Sequence, residues 1–146
     1  MPHSYTSIHI HYVFSPHDRT RFDSVDTRKH INNYIRGLCH NLGCVCLASF
    51  VMPDHVHLLL RIPAKMSVAE VAQKVKGNTS RHLNTLTERN GRFEWQEGYG
   101  AFSCSQSMLE VVGTYIRNQE EHHKRQNFQD EFLSLLQRHE ISPEDS

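Results

Sequence analysis

The chain has 146 residues, with 38% hydrophobic and 22% charged side chains and 16 basic residues against 16 acidic ones. That balance excludes a disordered or fibrous chain and fits one globular domain with a single core. No apolar run approaches the length of a membrane span, and Met1-Pro2-His3-Ser4 does not begin a signal peptide, so no membrane role is expected.

Residues 5–14 alternate and are rich in β-formers, which predicts a strand with Ile8, Ile10, Tyr12 and Phe14 on one face and His9, His11 and Val13 on the other. Residues 27–42 carry Ile31, Tyr34, Ile35, Leu38 and Leu42 at helical spacing, and Gly43 stops them. Residues 44–52 and 55–62 read as two strands joined tightly through Pro53-Asp54. Ser67 with Glu70 forms a capping box that opens a helix over about 67–88. A glycine-bearing loop follows, then a short strand at 101–105, a helix over 107–125 and another over 128–139 with Phe128, Phe132, Leu135 and Leu136 inward. The order is β-α-β-β-α-β with appended helices. It fits an α+β, ferredoxin-like antiparallel sheet in one domain, 1–146, ending in a frayed acidic tail from about residue 140.

Two distributions bear on function. Residues 127–146 hold five acids and one base, which leaves +4 on residues 1–126 and is compatible with nucleic acid. Twelve histidines nearly match all Lys plus Arg, and imidazole is both a common metal ligand and a general acid–base. The four cysteines, Cys39, Cys44, Cys46 and Cys104, form no Cys-x-x-Cys pair. Buried thiols are expected, although Cys44 and Cys46 share a strand face that histidines could complete into a zinc site.

His55-Val56-His57 places two imidazoles on one side of a strand, about 7 Å apart by the strand rise, from where both can lean toward one ion. His9-Ile10-His11 is a second such pair on the neighbouring central strand, and spacing alone does not separate two ligand pairs from one pair with polar neighbours. Tyr115 and Gln119, four apart, share a helix face, with His122 and His123 one turn further on. A tyrosine, an amide oxygen and imidazoles facing a His-x-His pair would make a metal-plus-nucleophile site. The plain alternative is an exposed polar helix face with a half-buried tyrosine.

These residues resemble a known family. Met52-Pro53-Asp54-His55-Val56-His57-Leu58-Leu59-Leu60 looks like the HUH motif of the small single-tyrosine transposases, the insertion-sequence-200-like family, related to the REP-associated tyrosine transposases. Tyr12–Ser15 with Arg19, Val75–Arg81, Phe93–Ser103, Tyr115–Gln119 and Phe128–Phe132 resemble further family segments, so the similarity spans about residues 5–141. It implies an enzyme that cuts and rejoins single-stranded DNA with hairpin ends through a 5′-phosphotyrosine. Tyr115 would be the nucleophile. His55, His57 and Gln119 would hold a divalent ion, Mg2+ or Mn2+, with His11, His122 and His123 as neighbours of the site. It also implies a homodimer and a cytoplasmic location, associated with the nucleoid in a prokaryote.

Arg19, Arg21, Lys65, Lys74, Lys76, Arg81, Arg92, Lys124 and Arg125 are candidate phosphate partners. Trp95, Phe93 and Tyr99 are candidates for stacking on bases, and Trp95 is equally suited to anchoring its loop. Three other functions compete with the transposase reading. They are a domesticated endonuclease acting on palindromic repeats, a non-catalytic ferredoxin-like nucleic-acid-binding module, and a small zinc protein using His55, His57 and a cysteine.

Overall fold

A computed structural model describes residues 4–86 and 91–145. The sheet has four strands: β1 (His9–Phe14), β2 (Val45–Val51), β3 (Val56–Arg61) and β4 (Gly100–Cys104). Their order is β2-β3-β1-β4 and every pairing is antiparallel, so β3 and β1 are central, as the ferredoxin-like reading expects. The predicted hairpin forms across Pro53-Asp54 and closes through Met52 N–H donating to the His55 carbonyl at 2.8 Å. One register shift, between Cys46 and Ala48, interrupts the β2–β3 ladder.

The alternation of β1 and β3 divides the sheet into two unlike faces. Ile10, Tyr12, Phe14, Val56, Leu58 and Leu60 point to the main core. This face is covered by α1 (Val25–Asn41) and α2 (Val68–Asn84). α1 contributes Ile31, Ile35 and Cys39, each fully buried and four residues apart. α2 contributes Val71, Ala72, Val75 and Leu83. Each large apolar side chain taken from water adds roughly 1.5–3 kcal/mol, so this stripe-on-sheet contact is the principal stabilising layer. Ser24 caps α1 through the Thr27 N–H. The Ser67/Glu70 capping box is present at α2, and each such cap contributes about 1 kcal/mol. Gly43 adopts φ +85° just past α1, a left-handed conformation that ends the helix at little cost only for glycine. The expected extension of α2 to residue 88 falls partly on residues 87–88, outside the described residues.

The other face is covered by the C-terminal helices. The single helix expected over 107–125 is broken. A 3-10 turn at Gln106–Met108 leads into α3 (Leu109–Arg117), Asn118 leaves helical geometry at φ −100°, ψ 23°, and α4 (Gln119–His122) follows. Asparagine is a weak helix former, and the Asn118 side chain makes no capping hydrogen bond at the break. Ile116 of α3 packs on Ala48 and Leu59, joined by Leu109 and Val112. α5 (Phe128–Arg138) is capped by Asn127 and lays Leu135 against Val13 and Phe102. The sequence expectation of a frayed end meets a 3-10 turn at Pro143–Asp145, whose residues are exposed.

α5 approaches β4 closely at Gly100, where an added Cβ would meet Phe132 Cε1 at 2.8 Å and the Phe102 ring at 3.0 Å. Gly100→Ala is expected to destabilise the protein by about 1–3 kcal/mol by overpacking, read as a lower urea midpoint at unchanged slope.

Candidate metal and tyrosine site

The site grows out of the polar face of the central strands. His55, just before β3, and His57, within it, are both fully buried. His55 Nδ1 shares a 2.7 Å hydrogen bond with Asp54 Oδ1, which holds the Asp54 carboxyl below its usual range. His57 Nδ1 shares a 2.7 Å hydrogen bond with His11 Nε2 across the β1–β3 ladder, and the two rings stack with centroids 5.0 Å apart. With both Nδ1 atoms engaged, both Nε2 atoms are left to face the space under the C-terminal helices. An imidazole whose second nitrogen is fixed in this way is oriented as a ligand. Burial lowers His57 to about 4 and, with the neighbouring His57, His11 to about 3, so both rings are neutral near pH 7.

Three further side chains close over those nitrogens. Gln119, at the start of α4, is fully buried and places Oε1 2.9 Å from His55 Nε2. Tyr115, from α3, stands edge-on to His57 with centroids 5.8 Å apart and beside His122 at 5.1 Å. Glu131, from α5, is 1% exposed and links the whole group. Its Oε1 lies 3.3 Å from His57 Nε2, 3.5 Å from His55 Nε2 and 3.0 Å from His123 Nε2. Its Oε2 accepts from Gln119 Nε2 at 2.9 Å and from the Tyr115 hydroxyl. Burial alone would raise the Glu131 carboxyl, but the hydrogen bonds from His57, Tyr115 and Gln119 outweigh it and hold it well below the carboxylate range. Burial and the adjacent Glu131 push the Tyr115 phenol up.

The sequence-predicted Tyr115, His55, His57 and Gln119 therefore meet in one place, and His11, His122 and His123 border it. His122 Nε2 is 2.9 Å from Gln126 Oε1 and 3.5 Å from Glu131 Oε2. Tyr115 reaches the histidine pair of its own chain. His55, His57 and Glu131 are also, among the described residues, the group of His, Cys, Asp or Glu side chains whose ligand atoms lie within 4.8 Å of one another. No cysteine joins it, so the zinc arrangements that use a thiol do not form there. Glu131 was missed in the sequence, where it counts as one of the tail acids. Its signal is its place on the inward stripe of α5, where 128, 131, 132 and 135 fall at i, i+3, i+4 and i+7 and only 131 is charged.

The candidate DNA contacts are scattered by comparison. Arg19 is exposed and paired with Glu94 at 3.3 Å, and Arg21 lies 3.6 Å from Asp23. Lys74 and Arg81 lie on the solvent side of α2. Lys76 donates to the carbonyls of Gln96 and Gly98 at 3.0 and 2.6 Å, so its ammonium holds the 96–98 loop. Trp95 donates from Nε1 to the Lys76 carbonyl and meets Phe14, Phe22 and Phe93 edge-on. Those contacts make it an anchor of the loop against the core. Trp95→Ala is expected to cost about 3 kcal/mol of stability, measured by urea unfolding.

Among the described residues no helix is long and apolar enough to cross a membrane. A family model described as "Transposase IS200 like" matches residues 4–119. The transposase for insertion sequence element IS200 of Salmonella typhimurium is 28% identical over 131 residues, covering 85% of this chain and 84% of its own, and the Salmonella typhi protein matches equally. Two solved structures share the fold. A candidate transposase from Deinococcus radiodurans R1 has a TM-score of 0.65 at 20% identity, covering 82% of this chain and 95% of its own. A REP-associated tyrosine transposase bound to a REP hairpin has a TM-score of 0.61 at 13% identity, covering 84% of this chain and 73% of its own. With the family match running from β1 through Gln119 and the sheet, paired histidines and tyrosine all in place, the chain belongs to the IS200-like transposases, a family of DNA-processing enzymes.

Proposed function

We propose that this protein cuts and rejoins single-stranded DNA at hairpin-bearing ends of a small insertion sequence, through a covalent 5′-phosphotyrosine on Tyr115. The observation that carries the proposal is the convergence of the Tyr115 hydroxyl, two oriented imidazole Nε2 atoms, the Gln119 amide and the Glu131 carboxylate in one buried site. The solved relative bound to a REP hairpin supports the hairpin as the form of DNA engaged.

Tyr115 Oη forms a bond to the scissile phosphorus, and the bond from phosphorus to the 3′ oxygen breaks, releasing a 3′ hydroxyl. The 5′ strand stays on the tyrosine, so a second 3′ hydroxyl can attack the same phosphorus and free the phenol without an external energy source. A phenol attacks only as its proton leaves, and its reference pKa is about 10. Glu131 Oε2 already accepts the Tyr115 hydroxyl hydrogen bond and is positioned to relay that proton, and the departing 3′ oxygen takes up one proton as it becomes the hydroxyl, so the step is proton-neutral. Phe128, stacked on His55 at 4.1 Å, excludes water from one side of the histidine pair.

The donor set fits a divalent ion. His55 and His57 present Nε2 with Nδ1 already held, and Glu131 and Gln119 add oxygens. Mg2+ or Mn2+ bound there would offset phosphate charge and polarise the scissile P–O bond, and the nitrogen ligands favour manganese of the two. A homodimer completes the proposal.

The test is to mix the protein with single-stranded DNA carrying candidate hairpin ends and Mn2+, then separate the products on a denaturing gel. A protein–DNA adduct at a defined position, accompanied by a free 3′ hydroxyl strand, is the expected result. Intact DNA across a full set of element-end hairpins, with metal present, would overturn the reading.

A further inference from the structure

A second pair of histidines lies away from the tyrosine site, on the helices that cover the opposite face of the sheet. His30 is in the second turn of α1 and His82 in the last turn of α2. Their Nε2 atoms point at each other and lie 2.8 Å apart, with ring centroids at 5.0 Å. Nothing in the tyrosine chemistry uses them.

The local structure holds this pair in place. Tyr34, one turn after His30 on α1, lies flat on the His82 ring at 4.1 Å with only 5° between the planes. The Tyr34 hydroxyl is tied in turn to the Asn78 carbonyl of α2 at 3.3 Å. The His82 ring is therefore fixed from one side by an anchored aromatic, while His30 is exposed and free to adjust. Burial and the neighbouring His30 both lower the His82 pKa, which favours the neutral ring with a lone pair available.

We propose that His30 and His82 form a two-imidazole site for a borderline transition-metal cation of the zinc, nickel or copper(II) class, clasping α1 to α2. Imidazole nitrogens bind such ions at about 2.0–2.1 Å, so two of them on a tetrahedral ion stand about 3.3 Å apart. The present separation is that of a shared hydrogen bond, and a swing of the exposed His30 ring by about half an ångström opens it to a ligand pair. Each ring then carries its hydrogen on Nδ1, and water fills the remaining positions. Magnesium, which demands oxygen ligands and keeps its own water, is excluded by the same donor set. An ion bound by both helices exists only in the folded chain, so it stabilises the fold by mass action.

The test uses the full chain without a histidine tag, its His30→Ala and His82→Ala variants, and NiCl2 as the probe, with MgCl2 as control. Ni2+ is expected to raise the parent's melting temperature by several degrees and Mg2+ not to do so through this pair. Both variants should show a smaller nickel-dependent rise than the parent, the remainder belonging to the tyrosine site, and by equilibrium dialysis each should hold one Ni2+ fewer than the parent. His30→Ala is the safer variant because its side chain is exposed. His57→Ala, which alters the tyrosine site, should keep the ion that His30→Ala loses, so failure here and failure of the DNA-cutting reading are separable. Equal nickel stoichiometry and an equal melting shift in the parent and His30→Ala would overturn the proposal and leave a hydrogen-bonded histidine pair.

Discussion

Tyr115→Phe is expected to abolish every covalent protein–DNA adduct while the protein stays folded and still binds the hairpin. The loss in cleavage should reach the detection limit, on the order of 1,000-fold or more, because the substitution removes the attacking atom itself. The fold should tolerate it. Phenylalanine keeps the ring contacts with His57, His122 and His11, whose centroids lie 5.8, 5.1 and 6.4 Å from the Tyr115 ring. The hydrogen bond given up is one of several to Glu131, which still faces Gln119, His57 and His123, so the stability cost is about 1 kcal/mol. No other described tyrosine is placed to substitute for it. Tyr12 and Tyr34 donate to the carbonyls of Val68 and Asn78, Tyr99 lies beside Tyr12 at 6.2 Å on the opposite face of the sheet, and Tyr5 is 92% exposed outside the strands. An adduct that survives in Tyr115→Phe would show that another residue attacks the DNA. Hairpin binding that falls in parallel with cleavage would show that the tyrosine binds DNA and does no chemistry.

Much of this site is legible in the sequence because it rests on local periodicity. The alternation of His55 and His57 with Val56 and Leu58 requires that the imidazoles leave the core together. The same rule applied to His11 and Tyr12 puts His11 on the histidine face, where it meets His57. Tyr115 and Gln119 remain neighbours despite the break at Asn118, since both donate to Glu131 Oε2. What local periodicity does not carry is how α5 docks. Glu131 is 74 residues from His57 in the chain and reaches it only because Phe128, Phe132 and Leu135 seat α5 on β1 and β4. The candidate DNA contacts illustrate the same limit. A lysine and a tryptophan beside a glycine-rich loop suggest phosphate and base contacts by type. In the fold, Lys76 satisfies two loop carbonyls, and Trp95 donates to the Lys76 carbonyl while closing an aromatic cluster. Whether a cation is free or already engaged depends on which carbonyls the loop brings to it, and that is a tertiary property.

Glu131→Gln changes one charge and almost no volume, and so asks what the carboxylate contributes beyond filling space. As an ionised carboxylate, Glu131 only accepts, and every neighbour within reach can donate to it: the Tyr115 hydroxyl, Gln119 Nε2, His123 and His57. An amide in the same place retains one acceptor oxygen and turns an N–H toward donors. At least one buried donor then loses its partner, at a cost of about 1–3 kcal/mol measured as a lower unfolding midpoint. The effect on the metal should be larger. Without Glu131 the histidine pair and Gln119 offer only neutral ligands, whereas the carboxylate supplies the one negative charge on the donor set. The affinity for Mn2+, followed by the paramagnetic signal of the free ion, is expected to fall about 10- to 100-fold. Adduct formation at limiting Mn2+ should fall with it, and excess metal should recover part of the loss. If Mn2+ affinity is unchanged and cleavage rises, the carboxylate obstructs the site instead of serving it, and the ion is held by His55, His57 and Gln119 alone.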